Sequence, residues 1–124
     1  KKLNLEHTIQ FTGYLPRIQV LTEMAKADIF LFLSTKASDR LPNVVKEAML
    51  AECTCVVSHT AGITELIPSN QVGLILKNLN PQYVAQQTVQ VFNQPQIGKA
   101  AKTFIQHNFD AQTCMMAYVK VWRT

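Results

Sequence analysis

Two carboxylates near the middle of the chain are spaced so that they could serve one site. Asp39 lies in a polar stretch without hydrophobic periodicity, and Glu47 follows in a helix that Pro42 is predicted to open, since proline is favoured at the first helical position. A side chain one turn inside a helix leans back toward the N-terminus of that helix. Both carboxylates can therefore face the same side, although the spacing alone also fits an ordinary solvated helix glutamate.

The start of this helix offers chemistry suited to a phosphorylated ligand. Its first backbone N–H groups lack partners within the helix and carry partial positive charge, which favours a phosphate. A carboxylate at Glu47 can accept hydrogen bonds from two neighbouring hydroxyls, such as those of a ribose. Lys36 and Arg40 add positive charge beside it. The pattern predicts a site for an anionic ligand that carries a diol.

Alternating strand and helix patterns must position these groups. Apolar runs predict strands at residues 8–13, 28–34, 55–58 and 73–76, and the second of these reads as buried on both faces. Helical spacing predicts helices at residues 18–27, 42–51, 63–67, 80–92, 97–107 and 111–123. This alternation indicates an α/β fold with a mostly parallel sheet, whose ligands bind outside the carboxyl ends of the strands. Residues 14–17, 34–43 and 58–65 follow predicted strand ends.

Composition excludes several other classes of protein. The 124 residues are 48% hydrophobic and 16% charged with a net charge of +4, an ordinary globular balance without the basic clusters that bind nucleic acid. No apolar run is long enough to span a membrane. Three cysteines, including Cys53 and Cys55, lack the spacing of a zinc site or disulfide framework. We therefore expect buried cysteines, no metal and a reducing cytoplasmic compartment.

The segment DRLPNVVKEAM, residues 39–49, resembles the motif of the group 1 glycosyltransferases (glycosyltransferase family 4, GT-B fold). In that family an acidic residue, Gly, an aromatic residue, Pro or Gly and Asn precede Glu-Ala-Met. Four further segments are similar to family segments, in order and at matching spacing: FTGY (11–14), ADIFL (27–31), VVS with GITELI (56–67) and GLIL (73–76). The resemblance spans nearly the whole chain.

The resemblance implies a Rossmann-like parallel sheet with helices on both faces, as part of the C-terminal domain of a GT-B glycosyltransferase. Residues 1–124 would form a single domain, the downstream two thirds of this nucleotide-sugar-binding domain. The family's first strand, with the Arg and Lys that hold the donor diphosphate, and the N-terminal acceptor domain would lie upstream. We therefore expect the fragment alone to be inactive, and we expect self-association through the sheet edge that missing strands would expose.

The resemblance also assigns roles to individual residues. Asp39 and Glu47 would be the catalytic residues, with Glu47 bound to the ribose hydroxyls of a nucleotide-diphosphate-sugar donor and Asp39 bound to the transferred sugar. The full-length enzyme would transfer this sugar to an unknown acceptor with retention of configuration, without a metal or other cofactor. The implied donor-binding residues are Tyr14 and Leu15 beside the nucleobase, Arg40, the backbone of Leu41, Pro42 and Asn43, and Glu47.

Several positions depart from the family pattern, among them Cys55 and Ala61 in place of a Val and a Gly. Arg40 stands where the family usually has Gly, and it either adds charge for the phosphates or blocks the site. Glu52 replaces the Gly that commonly ends the motif helix, where a left-handed residue is expected. Two alternatives to a transferase stay open: a non-catalytic binding domain with Arg40 bonded across Asp39, or a GT-B nucleotide-sugar epimerase. The resemblance implies a cytoplasmic role in polysaccharide or glycoconjugate synthesis, with peripheral membrane attachment of the full-length protein also open.

Overall fold

The computed structural model describes residue 5, residues 7–34 and residues 43–108. The three strands in this part of the chain pair in parallel in the order β1-β2-β3, which confirms the predicted α/β fold. No helix within it has both the length and the apolar composition needed to cross a membrane. The elements are α1 (Arg17–Lys26), β1 (Ile29–Phe32), α2 (Asn43–Leu50), β2 (Thr54–Ser58), α3 (Ile63–Leu66), β3 (Leu74–Leu76), α4 (Pro81–Phe92) and α5 (Gln96–Asn108).

The central strand β2 is buried along its whole length. Its side chains alternate between two apolar clusters, as the pleat of a strand requires. Cys55 and Val57 pack in a cluster with α1, α2 and α5, while Val56 packs with residues of α4 on the opposite face. Helices therefore cover both faces of the sheet, as the sequence predicted.

The edge strand β1 is less buried than predicted. Phe30 and Phe32 are half-buried against the cluster that contains α2, but Leu31 on the other face is 45% exposed. The helix on that face, α4, packs over β2, and only Ile29 of β1 joins its cluster. A continuous apolar run predicts burial on both faces only where helices extend over both, and at Leu31 this cover ends.

The predicted strand at residues 8–13 is wrong. The backbone N–H groups of Thr8 and Ile9 donate to the carbonyl of Leu5 in a local turn instead of pairing with the sheet. Phe11 is 93% exposed, and Gly13 leaves the extended region with a φ of 65°. Because the alternating apolar side chains find no surface to cover, nothing offsets the entropic cost of holding this segment as a strand. The described sheet has three strands instead of the four predicted.

Two helix ends follow the local sequence closely. Asn80 caps α4, since its side-chain oxygen accepts from the backbone N–H groups of Gln82 and Tyr83 at 3.0 and 3.2 Å, and Pro81 occupies the first turn. The helix α2 ends in a Schellman motif with Glu52 at a φ of 67°, so Glu52 adopts the left-handed conformation that glycine usually supplies at a helix end. The predicted helix at residues 111–123 lies outside the described residues.

Candidate functional site

The parallel strands bring their carboxyl ends to one edge of the sheet. The hydroxyl of Ser58, at the end of β2, donates to the backbone carbonyl of Ser34 just after β1, and it lies 3.5 Å from the carbonyl of Phe32. This contact ties the ends of β1 and β2 together. The edge is where ligands bind in sheets of this class.

Glu47 is the buried carboxylate beside this edge. It lies in α2, which follows β1, and its neighbours Val45, Ala48 and Met49 are fully buried in the core. The whole residue is only 8% exposed. Glutamate is almost never buried to this extent without a charged partner. Its environment is therefore unlike that of a solvated helix residue, which was the competing interpretation of the sequence.

Arg17 supplies the partner charge. Its guanidinium Nη2 forms an ion pair with Oε2 of Glu47, and the side chains are 55% and 10% exposed, respectively. Oε2 itself is buried, and among the described residues its contact is the guanidinium of Arg17. Removing Arg17 would leave the buried charge of Glu47 poorly compensated, whereas the half-exposed guanidinium of Arg17 stays hydrated without its partner.

The position of Arg17 follows from the topology. Because α1 leads into β1, its first turn lies at the same edge of the sheet as the carboxyl ends of the strands. Arg17 shares a helix face with the buried Leu21 and Met24, at the spacing i, i+4 and i+7. This face packs toward α2, which explains how the first residue of α1 reaches a carboxylate in a different helix.

Tyr14 and Leu15, predicted to border a nucleobase, precede α1. Tyr14 is 93% exposed, and Leu15 lines a surface groove together with Phe11 and Gln19. At roughly 100° per residue, Gln19 lies about 200° around the helix from Arg17. The groove therefore opens on the side of α1 that faces away from the ion pair. The described contacts do not bring Tyr14 or Leu15 to Glu47.

Some of the remaining predicted site residues lie in the described part of the chain and others lie outside it. Asn43 is exposed in the first described turn of α2. Within residues 5, 7–34 and 43–108, no group of three or more His, Cys, Asp or Glu side chains is arranged to hold a metal ion. The predicted site residues that lie outside the described part of the chain are Lys36, Asp39, Arg40, Leu41 and Pro42.

The two described cysteines are part of the core, as predicted. Cys53 donates its thiol hydrogen to the carbonyl of Met24 at 3.1 Å. Burial, and secondarily the charge of Asp28, raises the pKa of the Cys53 thiol to about 11. Burial also raises the pKa of Cys55, and the neighbouring Cys53 adds to this effect. Neither thiol is a nucleophile near neutral pH, because the reactive form is the thiolate.

Sequence reasoning assigned no role to Arg17, although one local feature distinguishes it. Arginine at the first position of a helix places its positive charge at the positive end of the helix dipole, which is unfavourable. Pro16 before it makes no side-chain cap, and the first turn contains no acidic residue to compensate. A charge placed against the local preference indicates a partner elsewhere in the fold, but the sequence could not identify that partner as Glu47.

A comparison with known protein families identifies the family of this chain. The sequence model of the family described as "Glycosyl transferases group 1" matches residues 1–108 of the 124-residue chain. A comparison with curated proteins gives no match. The matched range contains the whole described sheet and both members of the Arg17–Glu47 pair. The chain therefore belongs to the group 1 glycosyltransferases, a family that transfers a glycosyl group from a nucleotide-sugar donor to an acceptor.

Proposed function

We propose that this chain binds the nucleotide part of a nucleoside-diphosphate-sugar donor, with Glu47 accepting hydrogen bonds from the ribose hydroxyls. The observation that carries the proposal is the burial of the Glu47 carboxylate in α2 at the ligand-binding edge of the sheet. A carboxylate has two oxygens and about four acceptor sites. Oε1 can therefore accept from two adjacent hydroxyls while Oε2 keeps its contact with Arg17.

The rest of the donor would lie along the segment that precedes α2. We propose that Asp39 binds hydroxyls of the transferred sugar and that Arg40 and the backbone of Leu41, Pro42 and Asn43 contact the sugar and diphosphate. We also propose that Tyr14 and Leu15 border the nucleobase; they would have to approach the donor from the surface segment before α1. These roles rest on the family motif, with Glu47 as their described anchor.

The proposed reaction is transfer of the sugar to an acceptor with retention of configuration. Its barrier lies in the charge that develops on the departing diphosphate and the sugar ring, so positioning and fixed positive charge are the main contributions of the protein. No metal ion or other cofactor is part of the proposal. We propose the cytoplasm as the compartment, because the free, buried Cys53 and Cys55 suit reducing conditions.

A second candidate is a non-catalytic domain of the same fold. The observation in its favour is the Arg17–Glu47 ion pair, because a carboxylate that already has an arginine partner can serve a purely structural role. In that case nucleotides would not perturb α2, and Glu47→Gln would change the free energy of unfolding alone. No described contact favours an epimerase.

The test is a titration of the chain with uridine and guanosine diphosphates and their sugars, observed through backbone amide resonances. We expect shifts around α2 and the first turn of α1, and their loss in Glu47→Gln. The matched control is Glu52→Gln, which removes an exposed carboxylate just beyond the other end of α2. Shifts that persist in Glu47→Gln, or that Glu52→Gln abolishes equally, would contradict the proposed role of Glu47.

A further inference from the structure

Arg17, the partner of Glu47, contacts a proposed donor-binding residue although it lies outside the family motif. Arg17 reaches Oε2 of Glu47 from the first position of α1 and leaves about half of its own side chain exposed. It thus lies between solvent and a carboxylate that is 10% exposed. A ligand hydroxyl that approaches Glu47 meets a carboxylate whose orientation is already set.

This contact is local enough to leave Glu47 available to a ligand. One guanidinium nitrogen contacts one carboxylate oxygen, and a carboxylate provides about four acceptor sites. Oε1 can accept from a ribose diol, provided that the side chain keeps its ionised form and its rotamer. A positive charge in contact favours the ionised form, and a supporting contact of this kind keeps a binding group in its productive geometry.

Stability alone is a weak explanation for the pair. Buried ion pairs can often be replaced by apolar residues without loss of stability, and α2 is surrounded by apolar neighbours at Val45, Ala48 and Met49. Arg17 also opposes the dipole of its own helix, without a side-chain cap or an acidic residue in the first turn. A requirement for an oriented, ionised Glu47 accounts for both features.

We propose that Arg17 is a positioning residue for Glu47 and thereby sets the preference of this chain for ribonucleotides over 2′-deoxyribonucleotides. The inference rests on the proposed function, since it takes the ribose hydroxyls as the groups that Glu47 binds. Removing Arg17 leaves the carboxylate buried without its partner, free to turn or to take up a proton. A carboxylate that turns away loses its hydrogen bond to the 2′-hydroxyl and a protonated one forms a weaker bond, so the ribose preference falls more than the affinity for the diphosphate.

The experiment measures the affinities of uridine and guanosine diphosphates and of their 2′-deoxy counterparts for the wild-type chain and three variants. Arg17→Met keeps the aliphatic stem and removes the charge, while Arg17→Lys restores the charge at the same place. Lys26→Met is the matched control, because it removes an exposed positive charge from the other end of α1. Amide spectra of each variant establish that it is folded.

For the wild type we expect a ribose preference of about tenfold or more, the contribution typical of a hydrogen bond to a charged acceptor. Arg17→Met is expected to reduce this preference to less than threefold, Arg17→Lys to recover part of it, and Lys26→Met to leave it unchanged. An undiminished preference in Arg17→Met would overturn the role of Arg17 and leave the proposed function intact. If the wild type binds ribonucleotides and their 2′-deoxy counterparts equally well, both the ribose role of Glu47 and this inference fail.

Discussion

The contact between α5 and the end of α2 allows one substitution to be predicted with a definite sign. Gly98 on α5 packs against the turn at Glu52, and a Cβ at this position would lie 2.1 Å from the Glu52 carbonyl oxygen and 2.9 Å from its carbonyl carbon. Both obstacles are backbone atoms, so no side-chain rotation relieves the overlap. In Gly98→Ala, α5 must move away from α2 by about 1 Å to restore an ordinary contact, a distance that the interdigitated core resists.

Two opposing effects decide the magnitude. Alanine is favoured over glycine inside a helix by about 0.8–1.0 kcal/mol. Overpacking of a filled core costs about 1–3 kcal/mol and occasionally more, and a displaced α5 also loosens the fully buried Ala101 and Ile105. Because a distance of only 2.1 Å between the added Cβ and a backbone oxygen places this overpacking at the severe end of the range, we expect Gly98→Ala to lower the free energy of unfolding by about 1–3 kcal/mol.

Urea unfolding followed by circular dichroism measures this difference. If the m-value is unchanged, the shift of the midpoint gives the change in the free energy of unfolding. The control is Lys99→Ala, an exposed change on the same helix, which should stay within about 0.5 kcal/mol of the wild type. Stabilisation of Gly98→Ala by about 1 kcal/mol, as helix propensity alone predicts, would refute the close approach of α5 to the turn that ends α2.

Three further predictions concern the same framework. Glu52→Gly should raise the free energy of unfolding by about 0.5–1 kcal/mol, because glycine removes the left-handed strain; an unchanged or lower urea midpoint would count against it. Asn80→Ala should lower the free energy of unfolding by about 1 kcal/mol through loss of the α4 cap. An unchanged urea midpoint would show that the cap contributes nothing to stability. Because the pKa of Cys53 is raised, the folded state keeps a proton that the unfolded state loses, and the free energy of unfolding should fall as the pH rises from about 9 to about 11. A free energy of unfolding that stays constant across this pH range would contradict burial of the thiol.

The sequence predicted those parts of the fold that depend on local chemistry. Asn80 followed by Pro81 marks a helix start by side-chain capping and fixed φ, and the structure has a helix at that place. Glu52 was identified as standing where the family usually has Gly at the helix end, and the structure shows it in the left-handed conformation typical of that position. The alternation of apolar runs predicted a parallel sheet with helices on both faces, which the structure confirms.

The errors arose where tertiary neighbours decide the outcome. Residues 8–13 have a strand pattern, but a strand needs a pairing edge and an apolar surface, and Phe11 has neither in this structure. Leu31 belongs to an apolar run whose cover by α4 ends before it. Both features depend on which elements lie nearby, and periodicity within the segment does not contain this information.

The candidate site shows the same division. Glu47 was identified from its motif and its place in a helix, and the structure adds its burial. Arg17 is thirty residues earlier in the chain, and only the packing of α1 against α2 brings the two side chains together. A long-range ion pair of this kind has no signature in spacing, so sequence reasoning had no means of pairing them.

The most direct test of the central claim is the affinity of uridine and guanosine diphosphates for the wild-type chain and for Glu47→Gln, measured by calorimetry. Glutamine keeps one acceptor oxygen but loses the other and the negative charge, so we expect the affinity for the preferred nucleotide to fall by about tenfold to a hundredfold, with Glu52→Gln unchanged. Equal affinities for the wild type and Glu47→Gln would contradict the claim that this buried carboxylate binds the donor.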